Sequence, residues 1–274
     1  MNAFELAKMA WALAPRNCKK NCTRYHQVRP LLRALRLGAE PADQAEFFHK
    51  AIARNLYSPT TRVLVSGASD TALAELIYDV AYASNRRTEI TFVDICRTPG
   101  HLALRSNVSS ALKVYQADIL TWETRKTFDL ILTHSFLGQI AEIERPRMFQ
   151  KWADLLVPGG ALITVNRLRQ KAEDVRFTAS NAERLAALAT ERLRNCPQLH
   201  TISPNECRQA VLEYALQRET VPLRSANDVA EYCKTAGLVV ESLEACVLKK
   251  PGALIVGPAV GSSAEYIQLV ARKT

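Results

Sequence analysis

The feature that most limits the fold of this sequence is an alternation, starting at residue 62, of short apolar runs with stretches of helical periodicity. The runs are rich in β-branched residues, which is typical of buried strands. One parallel strand can follow another only after a crossover, and the helical stretches are long enough to supply it. The alternation therefore predicts an α/β protein with an open, doubly wound, mostly parallel sheet. The predicted seven strands are 62–66, 90–95, 113–116, 130–133, 161–166, 238–245 and 266–271.

Two helical regions accompany this predicted sheet. Residues 1–57 show apolar positions at three- and four-residue spacing and no strand pattern. Between the fifth and sixth strands the sequence is again helical, and it is longer than one crossover requires. We predict an N-terminal helical cap, 1–57, on a domain formed by 58–274, with a helical insert at about 168–236 that acts as a lid. A stretch rich in Gly and Pro, 249–263, is predicted to be a loop between the last two strands.

Cysteine usage and hydropathy indicate the compartment. The seven cysteines are an odd number scattered through a chain large enough to build its own core. This usage predicts reduced thiols and a cytoplasmic protein. No apolar run approaches the ~20 residues that a membrane-spanning helix needs, so we expect no membrane association.

The formal net charge is +9, and the stretch from Arg16 to Arg36 contains no acidic residue. A solvated basic helix face is the simplest interpretation. Attraction of an acidic ligand and binding of RNA are the alternatives, because clustered Lys and Arg attract phosphates and carboxylates. Arg167, Arg169 and Lys171, at the start of the insert, could contact an acidic substrate, but a solvated charge run is the simpler interpretation.

The first predicted strand ends in a turn, Gly67-Ala68-Ser69, that leads directly into a helix. Gly is needed where a tight turn brings the backbone close to a ligand, and the helix N-terminus offers free N–H groups. The dinucleotide fingerprint is not met, because Ser69 and Ala72 stand where its second and third glycines should be. This turn therefore favours a cofactor without phosphates over a dinucleotide.

Acidic residues follow the second and third predicted strands, at Asp94 and Asp118. A carboxylate at the tip of strand two lies where it can accept hydrogen bonds from both hydroxyls of a ribose. An acid at the tip of strand three is suited to the exocyclic amine of an adenine. One such acid is often only a helix cap, but two in this order after Gly67 predict an adenosine site.

With these motifs the sequence resembles the class I, Rossmann-like S-adenosylmethionine-dependent methyltransferases over about residues 60–168. Besides the Gly67 turn and the two acids, the resemblance rests on Phe-Asp-Leu-Ile-Leu at 128–132. The most specific stretch is Leu-Leu-Val-Pro-Gly-Gly-Ala-Leu-Ile at 155–163. The resemblance implies a methyltransferase fold, S-adenosylmethionine as cofactor and transfer of its methyl group.

The same resemblance implies roles for individual residues. The Gly67-Ala68-Ser69 turn would lie beneath the methionine part of the cofactor. Asp94, with Ile95 beside it, would hold the ribose, and Asp118 with Ile119 would bracket the adenine. His134 and Ser135, after strand four, would lie beside the sulfonium and the substrate.

The sequence also departs from the family. Members usually carry an acid in the first strand and two or three glycines in the turn, whereas this chain has Val65, Ser69 and Thr71. The family's Asn/Asp-Pro-Pro-Tyr stretch, used by many methylases of nucleic acid amines, is replaced by His-Ser-Phe at 134–136. These departures leave open a relative that binds the cofactor weakly or is catalytically inactive.

His134 is the candidate catalytic base, because histidine titrates near neutral pH and methyl transfer needs only removal of the acceptor's proton. The alternative is that its ring shapes the cofactor pocket and exchanges no proton.

Cys18, Cys22 and His26 would share one face of a continuous helix. Their spacing is not that of common zinc sites and no fourth ligand is evident, so the sequence predicts no metal. We expect Tyr25 and His26 instead to cap the cofactor pocket and contact the substrate.

Three functions remain open. The first is methyl transfer to an oxygen or nitrogen of a small molecule, and the basic charge makes an acidic molecule one of the candidates. The second is RNA methylation, which predicts binding that falls steeply with salt but lacks a recognisable RNA-binding module. The third is a methyltransferase-like binding protein without catalysis. The sequence leaves the choice between a monomer and a homodimer open.

Overall fold

The computed structural model describes residues 1–18, 22–106, 111–170, 175–249, 258 and 263–274. The strands are β1 Thr60–Ser66, β2 Arg87–Asp94, β3 Lys113–Gln116, β4 Phe128–His134, β5 Leu156–Arg167, β6 Leu238–Lys249 and β7 Ser263–Lys273. The helices are α1 Ala3–Asn17, α2 Thr23–Ala34, α3 Ala45–Ala53, α4 Ala72–Ala83, α5 Arg97–Arg105, α6 Arg145–Leu155, α7 Ala179–Arg194, α8 Pro204–Gln217 and α9 Ala226–Thr235.

These strands form one seven-stranded sheet in the order β3-β2-β1-β4-β5-β7-β6. β7 runs antiparallel to β5 and β6, and the other neighbouring pairs are parallel. The predicted α/β fold with a doubly wound, mostly parallel sheet is confirmed. The strand order reverses between β1 and β4, which is where open α/β sheets bind their ligands.

The strand boundaries differ from the prediction mainly at β5. This strand begins at Leu156 rather than at residue 161, because Leu156 pairs with Phe128 before a register shift that ends at Leu130. The predicted loop 249–263 has its two ends in β6 and β7, and its residues 250–257 and 259–262 lie outside the described residues.

The sheet is covered on both faces, as its alternating side chains require. Val63 and Val65 of β1 lie in one apolar cluster with Phe48 of α3 and residues of α4. Leu64, between them, faces the other side and joins the cluster of Trp152 on α6 and residues of α9. Trp152 is fully buried, and burying a large apolar side chain stabilises the fold by roughly 1.5–3 kcal/mol.

The N-terminal helices and the insert form one further layer. Val28 and Leu32 of α2 pack in a single apolar cluster with Leu185 of α7 and Tyr214 of α8, and α1 contributes Ala7. We call α1, α2, α7 and α8 the helical cap. α3 and α9, although they fall within the segments 1–57 and 168–236, pack on the two faces of the sheet instead. No helix in the described ranges has both the length and the apolar character needed to cross a bilayer.

Candidate functional site

Two adjoining cavities lie over the carboxyl ends of β1, β2 and β4. The cap-side cavity, about 280 Å³, lies between these strand ends and residues of α2 and α8. The sheet-edge cavity, about 290 Å³, extends from the same strand ends to the residues that follow β3. Because both are lined by a shared set of residues, they form one groove across the point where the strand order reverses. The shared residues are Gly67, Asp94, Ile95, Phe136 and Gln139.

A larger concavity, about 630 Å³, lies elsewhere, between α3 and the β6–β7 edge of the sheet. It contains none of the residues that the sequence singled out and lies away from the carboxyl ends of the parallel strands. We therefore place the candidate site in the groove, where the topology brings strand ends and helix N-termini together.

Gly67 forms the turn between the two cavities. Its φ is 69°, in the left-handed region that favours glycine, and its N–H donates to the carbonyl of Val93 at 2.9 Å. A Cβ added to Gly67 would lie 2.3 Å from the ring of Phe136. A side chain at this position would be strained and would have to displace the Phe136 ring, which lies directly against the turn and lines both cavities.

Asp94 is fixed by two backbone N–H groups. Its Oδ2 accepts from Ala68 at 3.2 Å and its Oδ1 accepts from Cys96 at 2.7 Å. Each carboxylate oxygen retains a lone pair for a ligand hydroxyl. Burial raises the pKa of Asp94 to about 6, while the positive charge of His26 and the two backbone hydrogen bonds oppose that rise. Ile95 follows at the mouth of the groove and is 68% exposed.

Asp118 and Ile119 line the sheet-edge cavity, as the order of the strands predicts. Asp118 is exposed, and its Oδ1 accepts from the backbone N–H of Leu120 at 3.0 Å. Ile119 is buried, and Ile140 lines the same cavity. This end of the groove therefore offers apolar walls and one exposed carboxylate.

His134 and Ser135 form the tip of β4 in the cap-side cavity. Ser135 has a φ of 54°, and its N–H donates to the carbonyl of Val165 at 2.7 Å. Burial, and then the charge of Arg29, lower the pKa of His134 to about 3. Its Nε2 is buried without a hydrogen-bond partner in the described part of the chain. With so low a pKa the ring is neutral but a weak base, which favours a role in shaping the pocket over a role in taking the acceptor's proton.

Tyr25 and His26 of α2 line the cap-side cavity, as predicted for the cap. Arg218, just after α8, lies over the ring of Tyr25 at 5.7 Å and over the ring of Tyr214 at 5.5 Å. Its guanidinium also donates to the Tyr214 hydroxyl. These contacts join the two parts of the helical cap directly above the groove.

Arg29 and Arg218 are site residues that the sequence did not reveal. Arg29 lines the cap-side cavity, and its Nε is buried with no acceptor among the described residues. Both arginines, with Arg167 and Arg169, also line a recess beside Ser135. Lys171, the third basic residue of that stretch, lies outside the described residues. The four-residue spacing from Tyr25 to Arg29 on one helix face could have indicated Arg29.

The groove brings together every candidate site residue predicted from the sequence. The cap-side cavity is lined by Tyr25, His26, Gly67, Ala68, Ser69, Asp94, Ile95, His134 and Ser135, and the sheet-edge cavity by Asp118 and Ile119. Their roles toward a ligand stay predictions.

No protein-family model matches this sequence, and no curated protein resembles it significantly. Solved structures do resemble it. One is the glycopeptide N-methyltransferase MtfA complexed with S-adenosyl-L-homocysteine, with a TM-score of 0.53, 12% identity, and coverage of 86% of this chain and 91% of that chain. A methyltransferase from Methanosarcina mazei, described as S-adenosylmethionine-dependent, gives a TM-score of 0.50 at 14% identity, covering 81% of this chain and 96% of that one.

A third similar structure is the S-adenosylmethionine-dependent methyltransferase SibL, with a TM-score of 0.51 at 14% identity, covering 96% of this chain and 62% of that chain. The strand order, the antiparallel β7 and these likenesses define the class: the chain has the fold of class I S-adenosylmethionine-dependent methyltransferases. At such identities the likeness establishes the fold, and function has to be argued from the groove.

Proposed function

We propose that the groove binds S-adenosylmethionine and that the chain transfers its methyl group to an oxygen or nitrogen of a small, negatively charged molecule. The observation that carries the proposal is the junction of two cavities at Gly67 and Asp94, at the reversal point of a methyltransferase-type sheet. S-Adenosylmethionine has an apolar adenine at one end and a charged amino acid at the other. The groove likewise has one cavity with apolar walls and one cavity lined by charged side chains.

The sheet-edge cavity fits the adenosine end. Ile95, Ile119 and Ile140 offer apolar surface for a purine, and the exposed Asp118 carboxylate can accept from its exocyclic amine. Asp94 lies at the junction, where its remaining lone pairs can accept from ribose hydroxyls. The hydrogen bond that it accepts from the N–H of Ala68 fixes the carboxylate next to the Gly67 turn.

The cofactor's amino acid end fits the cap-side cavity beside Ala68 and Ser69. This end carries an ammonium and a carboxylate, and the chain lacks the acid usual in the first strand. Arg29 and Asp70 lie together in a recess with Ser69 and His134. Arg29, whose Nε has no acceptor among the described residues, can pair with the carboxylate, and Asp70, which is ion-paired with Arg33, is an acid in the recess that can accept from the ammonium.

S-Adenosylmethionine supplies an electrophilic methyl group on a sulfonium, so the chain's own residues have to position the acceptor and exclude water. Tyr25 and Tyr214 of the helical cap, together with Arg218 just after α8, cover the cavity. The neutral His134 ring can accept a hydrogen bond from the acceptor's O–H or N–H through Nε2, which orients the nucleophilic lone pair toward the methyl group.

Arginine side chains support an anionic acceptor. Besides Arg29, which is assigned to the cofactor, Arg169 and Arg218 line the recess beside Ser135, and Arg169 is only 5% exposed. Guanidinium groups pair well with carboxylates and phosphates, and partly buried ones do so in a weakly screened environment. The recess, about 30 Å³, has room for about one oxygen atom, so it would take an oxygen of the anionic group while the rest of the acid lies in the cap-side cavity with its nucleophile toward His134.

Transfer is tested by incubating the chain with methyl-labelled S-adenosylmethionine and either a fractionated small-molecule extract or total RNA. Label in anionic small molecules is the expected result. Arg218→Lys should reduce that transfer, since lysine keeps the charge and loses the planar pairing geometry. Lys50→Arg, on α3 away from the groove, is the matched control.

Two other results would replace the proposal. Label in RNA, with binding that falls steeply as salt rises, would establish the RNA methyltransferase. Calorimetric binding of S-adenosyl-L-homocysteine with no label in either pool would establish a binding protein that has lost catalysis.

A further inference from the structure

Three thiols from separate parts of the chain converge under the helical cap. Cys18 follows α1, Cys22 precedes α2, and Cys96 follows the end of β2. Their sulfur atoms all lie within 4.8 Å of one another. The Cys18 and Cys96 sulfurs are 3.3 Å apart, and the Cys18 sulfur is 3.1 Å from the Thr98 hydroxyl. None of the seven cysteines, all of which lie in the described ranges, is in a disulfide.

These separations suit a tetrahedral metal site. With Zn–S bonds of about 2.3 Å, two sulfurs of a tetrahedron lie about 3.8 Å apart. One pair is closer than that value, at 3.3 Å, and no pair is further apart than 4.8 Å. Changes of about 1 Å or less in the sulfur–sulfur distances, within the reach of χ rotations, would bring the three sulfurs around one ion.

His26 is the candidate for a fourth ligand, although its ring nitrogens are not within 4.8 Å of all three sulfurs. It lies one turn after Cys22 on α2, is 4% exposed, and its imidazole lies near the thiols of Cys22 and Cys96. Its Nδ1 is buried without a partner in the described residues. Three thiols and one imidazole make the Cys₃His set that structural zinc sites use.

We propose that Cys18, Cys22, His26 and Cys96 bind one Zn²⁺ ion, which fastens the helical cap to the carboxyl end of β2. A disulfide between Cys18 and Cys96 is the competing use of the cluster, but it would involve two of the four groups and leave the buried His26 beside an unused thiol. The proposal reverses the expectation of no metal, because Cys96 is distant in sequence from Cys18 and Cys22 and adjacent to them in the fold. It also gives His26 the role of a ligand instead of a substrate contact.

The position of the site ties the metal to the groove. The backbone N–H of Cys96 donates to Oδ1 of Asp94 at 2.7 Å, and α2 carries Tyr25 and Arg29 into the cap-side cavity. A metal held by Cys96 and by α2 would therefore fix the distance between the cap and Asp94. This role is structural, since four protein ligands leave no open position for a substrate.

The test uses the purified full-length chain in reducing buffer, first freed of metal with a chelator and then titrated with Co²⁺ and Zn²⁺. We expect saturation at one ion per chain. Cobalt should give a thiolate charge-transfer band and the intense visible bands of a tetrahedral complex, and Zn²⁺ should displace it. Zinc should also raise the melting temperature.

Cys96→Ser and His26→Ala should abolish or shift the cobalt spectrum, whereas Cys246→Ser on β6 should leave it unchanged. If the Cys96 variant does not fold, the spectrum of the unsubstituted chain still decides. Absence of a thiolate–cobalt band in that chain would overturn the proposal, as would a Cys18–Cys96 disulfide that persists in reducing buffer. None of these readouts depends on methyl transfer, so the test of the metal site is independent of the proposed activity.

Discussion

Replacing Asp94 with Asn tests the assignment of the ribose site with the least change in shape. The carboxylate has two acceptor oxygens, each already bonded to a backbone N–H from Ala68 or Cys96. Asn keeps one acceptor and puts an NH₂ donor against one of those N–H groups, so it loses the charged acceptor for a ribose hydroxyl. Hydrogen bonds to charged groups contribute roughly 1.5–3 kcal/mol, which predicts an affinity for S-adenosyl-L-homocysteine weaker by roughly 10- to 150-fold.

Isothermal titration calorimetry measures this change directly. Asp129→Asn is the matched control, because Asp129 lies at the start of β4, at the opposite end of the sheet, and pairs there with Arg62. An Asp94→Asn variant that remains folded by circular dichroism and binds as tightly as the unsubstituted chain would remove Asp94 from the site.

The pKa of Asp94 adds a prediction about pH. Burial raises this pKa to about 6, and the ionised carboxylate is the stronger acceptor for ribose hydroxyls. Affinity should therefore be constant above about pH 7, should fall by up to tenfold per pH unit below pH 6, and should level off near the 10- to 150-fold loss expected for Asp94→Asn. The Asp94→Asn variant should lack this dependence. Equal slopes in the two proteins would assign the titration to another group.

Three further outcomes follow from the geometry. Gly67→Ala should lower the free energy of unfolding by roughly 1–3 kcal/mol in urea titrations, because the added Cβ meets the Phe136 ring and the φ of residue 67 is strained for alanine. Adding Phe136→Ala should recover part of this loss. An unchanged free energy of unfolding for Gly67→Ala would contradict the close contact between this turn and the ring. Once an acceptor is found, His134→Gln should slow transfer by less than about 100-fold, the low end of general-base effects, with an unchanged pH profile; a larger loss would restore His134 as the base. Trp152→Ala should cost roughly 3–5 kcal/mol of stability, since Trp152 is fully buried and donates to the Ser66 hydroxyl; a loss below about 1 kcal/mol would show that this cluster does not support β1.

The site residues at the ends of the strands could be predicted from the sequence, because there the local pattern and the topology agree. The turn at Gly67 and the acids at Asp94 and Asp118 follow successive parallel strands, whose carboxyl ends must meet at one edge of the sheet. Their meeting in one groove therefore needed only the strand assignments. Strand starts were harder: Leu156 joins β5 through a register shift opposite β4 that no periodicity encodes.

Residues brought in by packing between distant segments were missed. Arg218 reaches the groove because α8 packs on α2, and nothing near it in the sequence indicates that contact. Cys96 completes the thiol cluster only once β2 ends beneath the helical cap. His134 lies where predicted, but its low pKa comes from burial and from Arg29 on another helix. Long-range packing decides these features, and sequence spacing does not report it.

A crystal structure of the chain grown with S-adenosyl-L-homocysteine tests the proposed cofactor site most directly. We expect the adenine beside Ile119 and Asp118, ribose hydroxyls on the Asp94 carboxylate, and the amino acid end at Ser69 and Arg29. An empty groove at saturating ligand, or a ligand bound elsewhere on the chain, would contradict this assignment.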